Sequence, residues 1–149
     1  RLGLLWTMTR WFDSAGYFGM GPFENYRDRD AAAVLGRYRQ KAAELGGNYL
    51  MPQSSGNRTR VRRLTLGSGK TALTFIPDAP MEFSLEAHSD AELFAARHRH
   101  ELSESTRWYL HLDVFQRGVG TASCGPDTPD AYRLLPGTYR LNFTLCSGE

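Results

Sequence analysis

Apolar and polar residues alternate with a period of two along most of this chain, and that spacing predicts strands. Over residues 2–10, Leu4, Trp6 and Met8 share one face. Ser14-Ala15-Gly16 breaks this strand, and residues 17–20 read as a short second one. Residues 58–66 alternate as one strand, Gly67-Ser68-Gly69 makes a tight hairpin turn, and residues 70–76 return. Over residues 82–87, Phe83 and Leu85 face one way, which leaves Glu82, Ser84 and Glu86 on the solvent face. Residues 108–115 give the clearest strand, with Trp108, Leu110, Leu112 and Val114 on one face. Pro136-Gly137 turns the chain into a last strand over 138–146, where Tyr139, Leu141, Phe143 and Leu145 alternate with polar residues.

Two stretches depart from the period of two. Ala31, Leu35, Tyr38, Ala42 and Leu45 fall at helical spacing, with Asp28 or Asp30 to cap the start and Gly46-Gly47 to end it. Ser89-Asp90 caps a short helix over 91–97. Between elements, residues 49–57 form a loop bounded by proline and glycine. Residues 116–130 form a longer loop whose length argues for function. The sum is about seven or eight strands with short turns. That defines an all-β class, an antiparallel β-sandwich, in one domain over residues 1–149.

Composition changes this picture little. A chain of 149 residues can bury a sizeable core, and 12% aromatic residues favour a β-rich core or a sugar-facing surface. A net charge of +2 is too small to argue for nucleic acid. Lys41 and Lys70 are the two lysines, so the cations are almost all arginine. Cys124 and Cys146 cannot make a disulfide framework, and reduced thiols fit a cytoplasmic protein. No apolar run reaches membrane-spanning length, so no membrane role is expected. The start at Arg1 reads as a fragment, a processed piece or a subcloned domain.

Candidate chemistry is sparse. His98-Arg99-His100-Glu101 resembles a metal or acid–base cluster, but no third ligand is apparent beside the histidines, and they read better as hydrogen-bonded structural residues. Arg58, Arg60, Arg62 and Arg63 make the densest positive patch. With no aromatic in the same stretch, it reads as a solvated strand face or a domain interface. A glycosidase needs a carboxylate pair. Glu24 and Asp28 are close in sequence but lie among Asn25, Arg27 and Arg29, which would keep them ionised as braces of a turn. The glycine-rich run from Gly118 through Gly120 to Gly125 lets backbone approach a ligand closely, or is a plain crossover.

Gly19-Met20-Gly21-Pro22-Phe23-Glu24-Asn25-Tyr26-Arg27-Asp28-Arg29 is the most specific stretch. It resembles the signature of the C-terminal, small-chain domain of the family 2 β-galactosidases. Tyr49 through Pro52-Gln53 and Gly56-Asn57-Arg58-Thr59, then His98 to Leu102, then Leu112-Asp113 through Gly118-Val119-Gly120, follow in the family's order. Ser54 and Arg63 depart from it, standing where glutamate and tryptophan are usual.

The resemblance implies part of a supersandwich related to the galactose mutarotase fold, incomplete here. It also implies an extended excursion over 29–45, so the combined expectation is an extended stretch over 35–40 and a helical turn or two over 41–45. The implied partners are a TIM-barrel domain or large subunit carrying the catalytic glutamates, a galactoside substrate, and copies of itself in a homo-oligomer. The magnesium and sodium of such enzymes would lie outside this segment, which itself would hold no cofactor, metal or catalytic residue. The family's glycine-rich loop presents a tryptophan to the outer sugar subsite. Here Cys124 stands in that place, so Ser123, Cys124 and Gly125 are the expected substrate-binding residues. A free-standing mutarotase or epimerase using His98 or His100, and a galactose-binding module, are the alternatives.

Overall fold

The computed structural model describes residues 1–120 and 125–148. The described residues form two antiparallel sheets. One sheet holds β1 (Leu2–Thr9), β8 (Arg107–Phe115), β7 (Met81–Glu86) and β4 (Arg58–Val61), in that order. The other holds β3 (Val34–Lys41), β2 (Ser14–Gly21), β5 (Arg63–Ser68), β6 (Thr71–Pro77) and β9 (Phe143–Gly148). The class is the all-β sandwich that the alternation predicts. Tyr17, Leu64, Leu66 and Phe75 from the second sheet meet Phe83, Leu85, Leu110 and Leu112 from the first in one buried core. Trp6 closes an edge of that core, edge-on to Phe75 with ring centroids 5.8 Å apart.

Several elements differ from the sequence reading, each for a reason of pairing. Ser14-Ala15-Gly16 is no break. It begins β2, where Ser14 pairs with Lys41 on one side and Gly67 on the other. Residues 58–66 are two strands in two sheets, because the chain crosses from one to the other at Arg60, whose φ of 53° lies in the left-handed region. Arg62 already donates its N–H to Phe18 O in the second sheet, at 2.8 Å.

Over residues 34–45 the combined expectation of an extended stretch and then a helical turn holds, and the helical spacing taken alone does not. Pairing with β2 from Ser14–Lys41 to Gly21–Val34 overrides propensity, and a 3₁₀ turn follows at Ala42–Glu44. The last strand starts at Phe143 because its partner β6 ends at Pro77. The short helix α1 spans Asp90–Ala95, opened by a Ser89–Glu92 capping box.

The reading of Glu82, Ser84 and Glu86 as a solvent face is overturned: all three are buried. So are Arg58 and, across the sheet, His111 and Asp113. Of the expected solvated arginine patch only Arg60, Arg62 and Arg63 are exposed, and Phe18 on the neighbouring strand supplies an aromatic ring, 5.7 Å below both Arg62 and Arg37. Arg58 donates to Tyr17 Oη at 3.1 Å and to Gly56 O at 2.9 Å. Glu82, Ser84, Glu86, His111 and Asp113 thus make the outer face of the four-stranded sheet a polar layer roofed by loops, while Arg58, opposite Phe83, lies on the core side.

Candidate functional site

Three loops build that roof, and the stretch from Pro22 to Arg29 ties them together. Asn25 is its keystone. Its amide donates to Met20 O and Phe23 O at 3.1 and 2.9 Å, and its carbonyl accepts from Thr59 N and Oγ1 at 3.0 and 2.6 Å. Glu24 reaches the loop before β4, accepting from Gly56 N at 2.7 Å and from the Tyr49 hydroxyl. Asp28 reaches the glycine-rich loop, accepting from Val119 N at 3.0 Å and Gly120 N at 2.8 Å. Both carboxylates are braces, as the sequence suggests, but the braced groups are mainly backbone N–H. Arg29 sits 3.5 Å from Glu24 and is exposed, whereas Arg27 pairs at 2.5 Å with the buried Glu82.

The glycine-rich loop is pinned on both sides of residues 121–124. Before them, Gly118 N donates to Tyr132 O at 3.0 Å. After them, Thr128 Oγ1 donates to Gly118 O at 3.2 Å, and Arg133 Nε donates to Thr128 O at 2.5 Å. Asp127 pairs with Arg117 and Arg133. Two glycines are required here. A Cβ on Gly118 would lie 2.5 Å from the Asp28 carboxyl carbon, and Gly120 combines a φ of +63° with a Cβ position 2.5 Å from Thr128 Oγ1. Of the expected substrate-binding residues, Gly125 is exposed at the surface of this loop, while Ser123 and Cys124 lie outside the described residues. Sequence reasoning missed Thr128 and the pairing of Arg27 with Glu82. The glycine pair was the signal that something approaches closely, but not that it is Asp28.

Beneath the loops, burial governs the ionisable groups. It pushes the Asp113 carboxyl up to about 6, with Arg1 at 3.7 Å opposing, and pushes His111 down to about 4. Glu86 is raised by burial too, partly offset by hydrogen bonds at 2.9 and 2.8 Å from Ser55 N and Oγ, with Arg1 and Asp90 as the charges that act on it. A raised folded-state carboxyl contributes stability below its unfolded value and loses it as pH rises through the folded one. Glu86→Gln is therefore expected to gain in melting temperature relative to the natural chain at about pH 8, and to lose that gain near pH 4. Equal differences at the two pH values would contradict this.

The layered fold and pinned loops define a β-sandwich domain whose loop-covered polar face is its distinctive surface. Residues 1–145 match the family described as "Beta galactosidase small chain", and the chain belongs to that family. Curated relatives agree. A β-galactosidase of Arthrobacter sp. (strain B7) is 37% identical over 91% of this chain. One of Actinobacillus pleuropneumoniae is 32% identical over 97%, and one of Staphylococcus xylosus 28% identical over 97%. The chain spans 14 to 15% of the length of these relatives.

Proposed function

We propose that this domain is a non-catalytic, C-terminal part of a β-galactosidase that hydrolyses terminal β-D-galactosides such as lactose, with Ser123, Cys124 and Gly125 shaping the aglycone side of the pocket. The observation that carries the reading is the Asp28 clamp on Val119 and Gly120, which fixes the backbone just before those residues. Catalytic carboxylates and the cations of the reaction come from other parts of the protein, and no cofactor is assigned to this segment. Edge strand β1 shows Leu2, Leu4 and Leu5 to solvent, an apolar margin suited to the rest of the longer protein or a large subunit, and to assembly as a homo-oligomer. No helix among the described residues is long and apolar enough to cross a membrane. A cytoplasmic enzyme is the setting this reading takes.

The test is Cys124→Trp in the full-length protein. An indole covers a pyranose face and a thiol does not. Acceptor sugars are expected to bind more tightly and to capture more of the galactosyl group, with the rate of galactosyl-enzyme formation unchanged. Identical product ratios and KM in the variant would remove Cys124 from the pocket.

A further inference from the structure

The turn after α1 gathers three near neighbours in sequence, His98, His100 and Glu101, into one cluster. His98 precedes a 3₁₀ turn, Arg99–Glu101. Glu101 N donates to His98 O and Leu102 N to Arg99 O, each at 3.1 Å, so the backbone of all four residues is set. The two imidazoles stack with centroids 5.4 Å apart and 19° between planes. One nitrogen from each ring and one Glu101 oxygen lie within 4.8 Å of one another. Glu101 thus supplies a third donor atom beside the two imidazoles.

We propose that His98, His100 and Glu101 form a binding site for a borderline divalent transition-metal ion, Zn²⁺ in the first instance. Two imidazole nitrogens and a carboxylate oxygen suit Zn²⁺, Co²⁺, Ni²⁺ or Cu²⁺, and not Mg²⁺ or Ca²⁺, which take oxygen shells. Zinc bonds of about 2.0–2.2 Å need donors about 3.4 Å apart. The three side chains are exposed, so small rotations close the remaining gap without disturbing a packed core.

Their surroundings favour that closure. Arg97 N donates to Glu101 Oε2 at 2.8 Å, which holds the carboxylate and leaves Oε1 facing His98 Nδ1 at 3.0 Å. Arg99 is drawn off to Asn48. Among the described residues, His100 has no hydrogen-bond partner, so no protein bond holds its ring away from the other two donors. His88 is engaged with Ser103 O at 2.9 Å and stays outside the set. Three protein ligands leave a fourth position for water or for a group from elsewhere in the protein.

The experiment is Zn²⁺ titration calorimetry on the full-length protein after chelator dialysis, with Co²⁺ absorption as a second readout. The proposal expects a site that disappears from the stoichiometry in the His98→Ala/His100→Ala double variant, together with the matching Co²⁺ band. Single variants should weaken it at least about tenfold. His88→Ala should leave it unchanged, and Mg²⁺ should not compete. Circular dichroism of the variants checks that the exposed substitutions leave the fold intact. Unchanged Zn²⁺ stoichiometry and an unchanged Co²⁺ spectrum in the double variant would overturn the assignment, as would competition by Mg²⁺.

Discussion

Arg27→Ala is expected to cost about 3 kcal/mol of folding stability in urea denaturation, the low end for breaking a buried ion pair. The partner, Glu82, is 2% exposed and is the second residue of β7. Arg27 Nε meets it at 2.5 Å, while Nη2 donates to Val114 O at 3.0 Å. The guanidinium also lies over the Phe115 ring at 4.0 Å. Removing Arg27 leaves Glu82 with Asn57 Nδ2 at 2.9 Å and Gln116 N at 3.3 Å, neither of them a cation. Arg27 itself reaches solvent, which is why the low end applies. Arg27→Lys keeps the charge but loses the planar fork and the stacking, so it should fall between. A double variant, Arg27→Met with Glu82→Leu, should be less destabilised than Arg27→Ala, because it removes the buried charge as well as its partner. A loss below about 1 kcal/mol for Arg27→Ala would show that Glu82 is solvated by water well enough not to need the arginine.

Arg27–Glu82 also marks where the sequence stops being legible. Period-two alternation locates nearly every strand, because Phe83, Leu85, Leu110 and Leu112 obey it on the core side. The same alternation labels Glu82, Ser84 and Glu86 as solvated. It is right that they face away from the core and wrong about what covers them. Burial by loops leaves no periodic trace. It depends on contacts such as Arg27 to Glu82, 55 residues apart, and Asp28 to Gly120, 92 apart. The strand change at Arg60 is hidden for a related reason, since alternation continues through a chain that passes from one sheet to the other. The helical spacing over 31–45 fails because β2 supplies a partner for residues 34–41, and no local property of those residues announces it. Within the candidate site, the two glycines and the two braces were visible as residue types. Which brace meets which loop was not.

Asp28→Ala carries the second large effect, and its signature is local. Each hydrogen bond from a backbone N–H to a carboxylate contributes about 1.5–3 kcal/mol when shielded. Asp28 accepts two, and the exposed position of Val119 reduces the sum to about 2 kcal/mol. Lost at the loop and not across the sandwich, that amount should speed amide exchange at Val119 and Gly120 about 30-fold while exchange in β7 and β8 stays unchanged. Asp28→Asn keeps one acceptor oxygen and turns an N–H toward the other donor, so it should recover little. Glu24→Gln is the matched control. It weakens the bond to Gly56 at 2.7 Å and should perturb residues 49–56 without touching exchange at 119–120. If Ser123, Cys124 and Gly125 line the aglycone subsite, Asp28→Ala in the full-length protein should raise the KM for acceptor sugars and leave galactosyl-enzyme formation alone. On that reading Asp28 acts by positioning the loop. Faster exchange without a KM change would keep the clamp and discard the subsite. Unchanged exchange would discard the clamp itself, because no other described side chain accepts from both of those amides.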